Sequence, residues 1–169
     1  MRGRLSFLWR DPSGSSAAEM ALVTPLLMVL MFGSFELGKY FLDEHVVSKA
    51  VRDGARYASR RSFAEYSCAG ASTDVIDKTR NITRTATVAS GGTARLAYWT
   101  DGTTTITVSV TCDTTNAANN NGIYKGLTTG IPVVTVAATV PYQSLFEDLG
   151  FGASAISLNA RSQAAVMGI

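Results

Sequence analysis

From Ala17 to Phe35 the chain reads AAEMALVTPLLMVLMFGSF, a 19-residue stretch whose single charge, Glu19, lies near its start. At about 1.5 Å per helical residue this run would extend roughly 28 Å, close to the thickness of a bilayer hydrocarbon core. A core helix of a soluble protein rarely stays so apolar for so long, so the pattern predicts a membrane-spanning helix. Pro25 falls inside it and removes the bond to the carbonyl of Ala21, which predicts a kink or local loosening. Beyond the apolar run the pattern changes but stays helical. Tyr40, Val47, Val51, Ala55 and Ala58 recur at spacings of 7, 4, 4 and 3, while Lys49, Arg52, Arg56 and Arg60 form a second, basic stripe. One helix from about Ser16 to Glu65, roughly 75 Å long, would join the two patterns. Gly38 and Gly54 weaken it by about 1 kcal/mol each relative to alanine. The basic stripe reads first as a solvated face near Asp43, Glu44 and Asp53; subunit contacts and anionic headgroups are the other readings.

The remaining pattern is that of a mixed domain. After a break at Cys68-Ala69-Gly70-Ala71, Ser72 to Ala89 starts as a helix should, with Asp74 and Asp77 early and Val75, Ile76, Ile82, Thr83 and Ala86 as a packing face. Ala94 to Thr100 and Thr103 to Cys112 flank Asp101-Gly102, a favoured hairpin turn. Ile106, Val108, Val110 and Cys112 alternate with polar residues, as do Val134, Val136, Ala138 and Val140. A short helix over Tyr142–Leu149 and a closing strand with Ile156, Leu158 and Ala160 complete the series. Asp113 to Gly130 carries Asn116, Asn119, Asn120 and Asn121 and reads as a long exposed loop. The expected fold is α+β and pilin-like: a long N-terminal transmembrane and amphipathic helix, a second helix, and an antiparallel sheet of about four strands.

Composition narrows the chemistry. Of 169 residues, 46% are apolar and 17% charged, and 15 Lys plus Arg against 13 Asp plus Glu leave a net charge of +2. Arg2, Arg4 and Arg10 against Asp11 account for that excess, so the rest is balanced and offers no global field for nucleic acid. Arginines before the apolar run and a long domain after it place the N-terminus in the cytoplasm by the positive-inside rule. His45 is the one histidine, so no catalytic residues, metal site or cofactor are assigned. The neighbouring carboxylates Asp43/Glu44 and Glu147/Asp148 do not form an acid–base pair by sequence alone. Cys68 and Cys112 are the two cysteines. In an oxidising compartment one bridge would fasten the end of the first helix to the hairpin; two buried free thiols are the alternative, since sequence does not supply their separation.

The junction of leader and apolar run carries the most specific pattern. Gly14-Ser15-Ser16-Ala17-Ala18-Glu19-Met20 resembles a prepilin peptidase site, cleaved after the glycine, with glutamate fifth in the mature chain. A carboxylate at the hydrocarbon edge is costly unless paired, and cleavage after Gly14 would create an α-amine, on this chain or a neighbour, for Glu19 to neutralise. The other reading makes Glu19 an interfacial residue favouring the positive end of the helix dipole.

The Gly14–Pro25 block GSSAAEMALVTP, the exit Phe32-Gly33-Ser34-Phe35-Glu36-Leu37-Gly38 and the block Ala50-Val51-Arg52-Asp53-Gly54-Ala55-Arg56-Tyr57-Ala58 together resemble TadE-like pseudopilins of the tight-adherence (Tad, Flp) pilus system. Met20 stands where the family commonly has Phe, and Val51 is a small variation. The resemblance covers about the first 60 residues. It implies a minor pilin: processing at Gly14, Ser15 and Glu19, and an assembly helix bearing Pro25, Glu36, Arg52 and Arg56. The implied partners are prepilin peptidase, other Tad/Flp pseudopilins, the major pilin and the inner membrane.

The corresponding division is a leader over 1–14, a transmembrane helix over 15–38, its amphipathic continuation over 39–66 and a periplasmic α+β domain over 67–169, with incorporation into a surface pilus left open. The alternative function is a permanently membrane-anchored periplasmic binding module that presents the Asn-rich loop. A membrane-tethered hydrolase finds no residues to support it.

Overall fold

The computed structural model describes residues 12–101, 105–115, 121–147 and 156–168, with side chains from Ser16 onward. It divides into two compact units, Met1–Lys39 and Tyr40–Ile169. Helix α1 (Pro12–Ser59) contributes to both.

In the first unit the described chain is helix alone. Between Met20 and Leu37 its large apolar side chains other than the half-buried Phe32 are exposed, Leu22 reaching 80%. The helical backbone continues through Pro25 without interruption. The hydroxyls of Thr24 and Ser34 donate to the carbonyls of Met20 and Leu30, each at 2.7 Å, so polar side chains in this stretch are satisfied by their own helix.

The second unit is an α+β domain. Strands β1 (Tyr66–Ser67) and β2 (Gly70–Ala71) form a small hairpin, followed by helix α2 (Thr73–Thr85). Strands β3 (Ile106–Asp113), β4 (Ile131–Pro141) and β5 (Ser157–Ala165) form an antiparallel meander in the order β3-β4-β5. Register is unbroken from Ile106 opposite Ala138 to Asp113 opposite Ile131, and from Val133 opposite Ala165 to Pro141 opposite Ser157. Val47, Val51, Ala55 and Ala58 of α1 share one buried core with Val75, Trp99, Ile106, Val134, Val136, Val140 and Leu158. The helical and strand periodicities of the sequence therefore converge on one interior.

Among the described residues the sheet has three strands, with a separate two-stranded hairpin, where about four strands were expected. Residues 94–100 form no strand. Leu96 and Trp99 are both buried, and a turn closed by the Trp99 amide on the Leu96 carbonyl at 2.9 Å lets both point inward, which alternation cannot do. The expected Asp101-Gly102 hairpin is therefore absent on the Asp101 side, and Gly102, Thr103 and Thr104 lie outside the described residues. Residues 142–146 are not helical, while Asp148 and Leu149 lie outside the described residues.

Two helix ends also differ from expectation. Helix α1 stops at Ser59 because its last carbonyls find other partners: Tyr66 Oη donates to the carbonyl of Ala58, and the Met167 amide to that of Ser59 at 2.7 Å. Helix α2 stops at Thr85 because Ala86 turns left-handed (φ 62°) and returns its amide to the Ile82 carbonyl. Its buried residues are Val75, Thr79, Thr83 and Thr85: of the expected face Val75 and Thr83 are buried, while Ile76 and Ile82 are half-buried and Ala86 is exposed.

Burial raises the pKa of Tyr98 above its ordinary value near 10.0, and the hydrogen bond from its hydroxyl to Asp43 Oδ2 at 2.8 Å acts in the same direction. Burial followed by the charge of Glu65 raises Tyr66 likewise. A folded-state pKa above the unfolded value gives stability that is complete below about pH 10 and is lost as pH rises further. Thermal unfolding of the full chain in detergent is expected at falling temperature above pH 10, with a shallower fall in Tyr98→Phe. An equal slope in the two proteins would remove Tyr98 from the account.

Candidate assembly helix

Helix α1 carries nearly all the residues singled out by the sequence, and it presents them in three different settings. Gly14 and Ser15 lie in its first turn, with their side chains outside the described residues. Glu19 and Pro25 are exposed, and Glu36 is half-buried. Arg52 and Arg56 are exposed on the side opposite the core face. One helix among the described residues is long and apolar enough to cross a membrane, and none of its most apolar window is buried within the protein.

Within the second unit, α1 is held at a close approach to α2 at Gly54 and by an ion pair at Asp53. The ideal Cβ position on Gly54 lies 2.1 Å from Thr83 Oγ1 and 3.5 Å from Thr79 Cγ2. No side chain fits there, so the glycine is where α1 and α2 approach most closely, rather than a weak point in a helix. The partner face on α2 is correspondingly small: Thr79 and Thr83 are fully buried, and the Thr83 hydroxyl donates to the Thr79 carbonyl at 2.8 Å. Asp53, next to Gly54, binds Arg95 Nη2 at 2.7 Å, and the same nitrogen donates to the Ile82 carbonyl at 3.3 Å. One arginine thus joins α1, the end of α2 and the segment after it. Asp43 is nearly buried and accepts the Tyr98 hydroxyl, and one carboxylate oxygen of Glu44 is buried without a hydrogen-bond partner. Two of the acids that stand near the basic stripe in sequence, Asp43 and Asp53, are thus bonded to Tyr98 and Arg95.

The arrangement of Gly54 predicts a rescue. Gly54→Ala is expected to lower stability by about 1–3 kcal/mol through overpacking, despite its better helix propensity. Thr83→Ala in the same chain removes the clashing oxygen and should recover most of that loss. Additive losses in the double variant, measured by denaturant unfolding, would contradict the close approach.

Just beyond α1, the structure joins Cys68 in the β1–β2 turn to Cys112 in β3 by a disulfide, with Cα atoms 5.2 Å apart. Two short hydrogen-bonded strands bracket the turn, Tyr66 opposite Ala71 and Ser67 opposite Gly70, and fix where the sulfur is presented. His45 is exposed and lines an open surface groove with Leu42, Val46, Ser48, Lys49 and Arg52. Among the described residues no cluster of three or more His, Cys, Asp or Glu side chains could hold a metal. The asparagines 116, 119 and 120 lie outside the described residues; Asn121 leads into a short 3₁₀ turn, Gly122–Tyr124.

The residues that set this helix apart, from Gly14 through the glutamate and apolar run to the Asp53–Gly54–Arg56 block, coincide with a known family segment. Residues 14–56 match the TadE-like protein family. The TadE-like segment thus covers the whole apolar part of α1 and the portion docked on α2 through Gly54. The match spans 43 of the 169 residues of the chain. No curated protein and no solved structure matches it.

Proposed function

We propose that this chain is a minor pseudopilin of a Tad-type pilus, cleaved by prepilin peptidase between Gly14 and Ser15. Its apolar helix then holds it in the inner membrane and packs with other pilins, while the 40–169 unit stands on the periplasmic side. The observation that carries this reading is the TadE-like segment built as a helix whose apolar side chains are exposed all round, directly after Gly14 and Glu19. A helix apolar on every side is covered by lipid or by other helices, and a pilus assembly exchanges the first for the second.

Glu19 fits a register role in that exchange, because an exposed carboxylate beside hydrocarbon gains most from an α-amine on the same or a neighbouring chain. Such a charged hydrogen bond is worth about 1.5–3 kcal/mol, or tenfold and more per contact. Glu19→Ala is expected to insert normally and to reduce assembled pili by at least that factor; normal piliation would reject the register role.

Processing is tested by intact mass and N-terminal sequencing of the protein from native cells with and without the peptidase. A start at Ser15 that depends on the peptidase supports the proposal. A retained leader contradicts it and points to a fixed membrane anchor.

A further inference from the structure

Lys49, Arg52, Arg56 and Arg60 project from one side of α1, opposite the buried Val47, Val51, Ala55 and Ala58, and all four are exposed. At about 1.5 Å per residue the stripe is roughly 17 Å long. Elsewhere in the same unit Arg61, Lys78, Arg80 and Arg95 pair with Glu65, Asp74, Asp77 and Asp53, whereas Arg84 donates to backbone carbonyls and Lys125 and Arg161, each standing alone rather than in a row, have no carboxylate within ion-pair distance among the described residues. Among the described residues none of the four stripe cations has a carboxylate within ion-pair distance. The acids nearest in sequence are spent on the domain, Asp43 on Tyr98 and Asp53 on Arg95, while Glu44 has a carboxylate oxygen buried. Like charges one turn apart also repel along the helix, so the stripe is better satisfied by an outside anion than by its own chain.

Building on the pseudopilin reading, we infer that this face is a docking surface for an acidic helix of another subunit in the same assembly. The spacing of 3, 4 and 4 residues matches carboxylates placed at i, i+3 and i+4 on a helix lying alongside at about 8–10 Å. Each arginine fork can take one carboxylate through two hydrogen bonds. A lipid surface is the poorer fit: helices that lie on membranes place several large apolar side chains among their cations, whereas on this face Leu42, which lines a groove with Lys49 and Arg52, is followed by no exposed large apolar residue between Asp43 and Arg61.

The test uses full-length protein in native cells with a photo-crosslinking residue at position 52 or 56. Crosslinks mapped by mass spectrometry to a pilus-subunit helix bearing Asp or Glu at three- or four-residue spacing support the inference. Arg52→Glu together with Arg56→Glu should then lower the co-purified complex at least tenfold, and acid-to-Lys changes at the mapped partner positions should restore it. Crosslinks to lipid, crosslinks to a surface without carboxylates, or a complex unaffected by the double reversal would overturn it. N-terminal sequencing of the same variant separates the two ideas: a chain that starts at Ser15 with an undiminished complex refutes the docking surface alone, whereas a retained leader refutes the pseudopilin reading.

Discussion

Removing the disulfide by Cys68→Ser with Cys112→Ser is expected to lower the stability of the full chain in detergent by about 4 kcal/mol. The bridge spans 44 residues of sequence, and closing a loop of that length restricts the unfolded chain by about this amount. The loop holds α2, the turn around Trp99 and the start of the sheet, so its opening releases the elements that fasten the far half of α1. The β1–β2 hairpin is only two residues per strand, too short to hold its position without the covalent tie to β3. Denaturant unfolding with and without dithiothreitol checks the size and the cause together. Wild type in reductant should match the double serine variant, and reductant should leave that variant unchanged. A loss below about 1 kcal/mol would mean that packing alone positions the hairpin. If the loss is as expected, the domain requires the oxidising side of the membrane for its full stability.

Where one physical rule dominated, the fold was legible in sequence. The apolar run and the 3.6-residue stripe beyond it are one helix, and the alternating valines of β4 are a strand, because periodicity alone specifies which face meets the core. Elements failed where side chains from distant positions decide the outcome. Ala94–Thr100 has apolar residues enough for a strand, yet a turn buries Leu96 and Trp99 together. The end of α1 depends on Tyr66 and Met167, neither of which local propensity can place at Ser59.

On the assembly helix, the resemblance of motifs found the matched segment but not the reasons within it. Gly54 looked like a helix weakness because its partner, Thr83, is on another element. Asp43 and Asp53 looked like neighbours of the basic stripe because sequence distance says nothing about Tyr98 and Arg95. The signals that were present are an aspartate followed by a glycine inside a helix, and threonines where α2 would otherwise carry larger apolar residues.

Trp99→Ala is expected to cost about 3–5 kcal/mol, the range for deleting a large buried aromatic and leaving its cavity. Trp99 is the largest fully buried side chain among the described residues, 1% exposed, and its Nε1 donates to Thr105 Oγ1 at 2.8 Å. That bond holds the chain just before β3 against the turn at 96–99, while the Arg84 guanidinium reaches the Trp99 carbonyl at 3.4 Å from the end of α2. The indole therefore anchors, from a loop, the junction between α2 and the sheet. Trp99→Phe keeps most of the apolar area but loses the hydrogen bond, a loss of about 1 kcal/mol beyond that of the missing volume. Trp9 is the other tryptophan in the chain, so Trp9→Phe leaves Trp99 as a single fluorescence reporter of its own burial. In that background emission should be blue-shifted in the folded protein and move to the red in one transition with denaturant. Emission already red-shifted before unfolding, or a Trp99→Ala loss under about 1 kcal/mol, would show that the turn at 96–99 is not what joins α2 to the sheet.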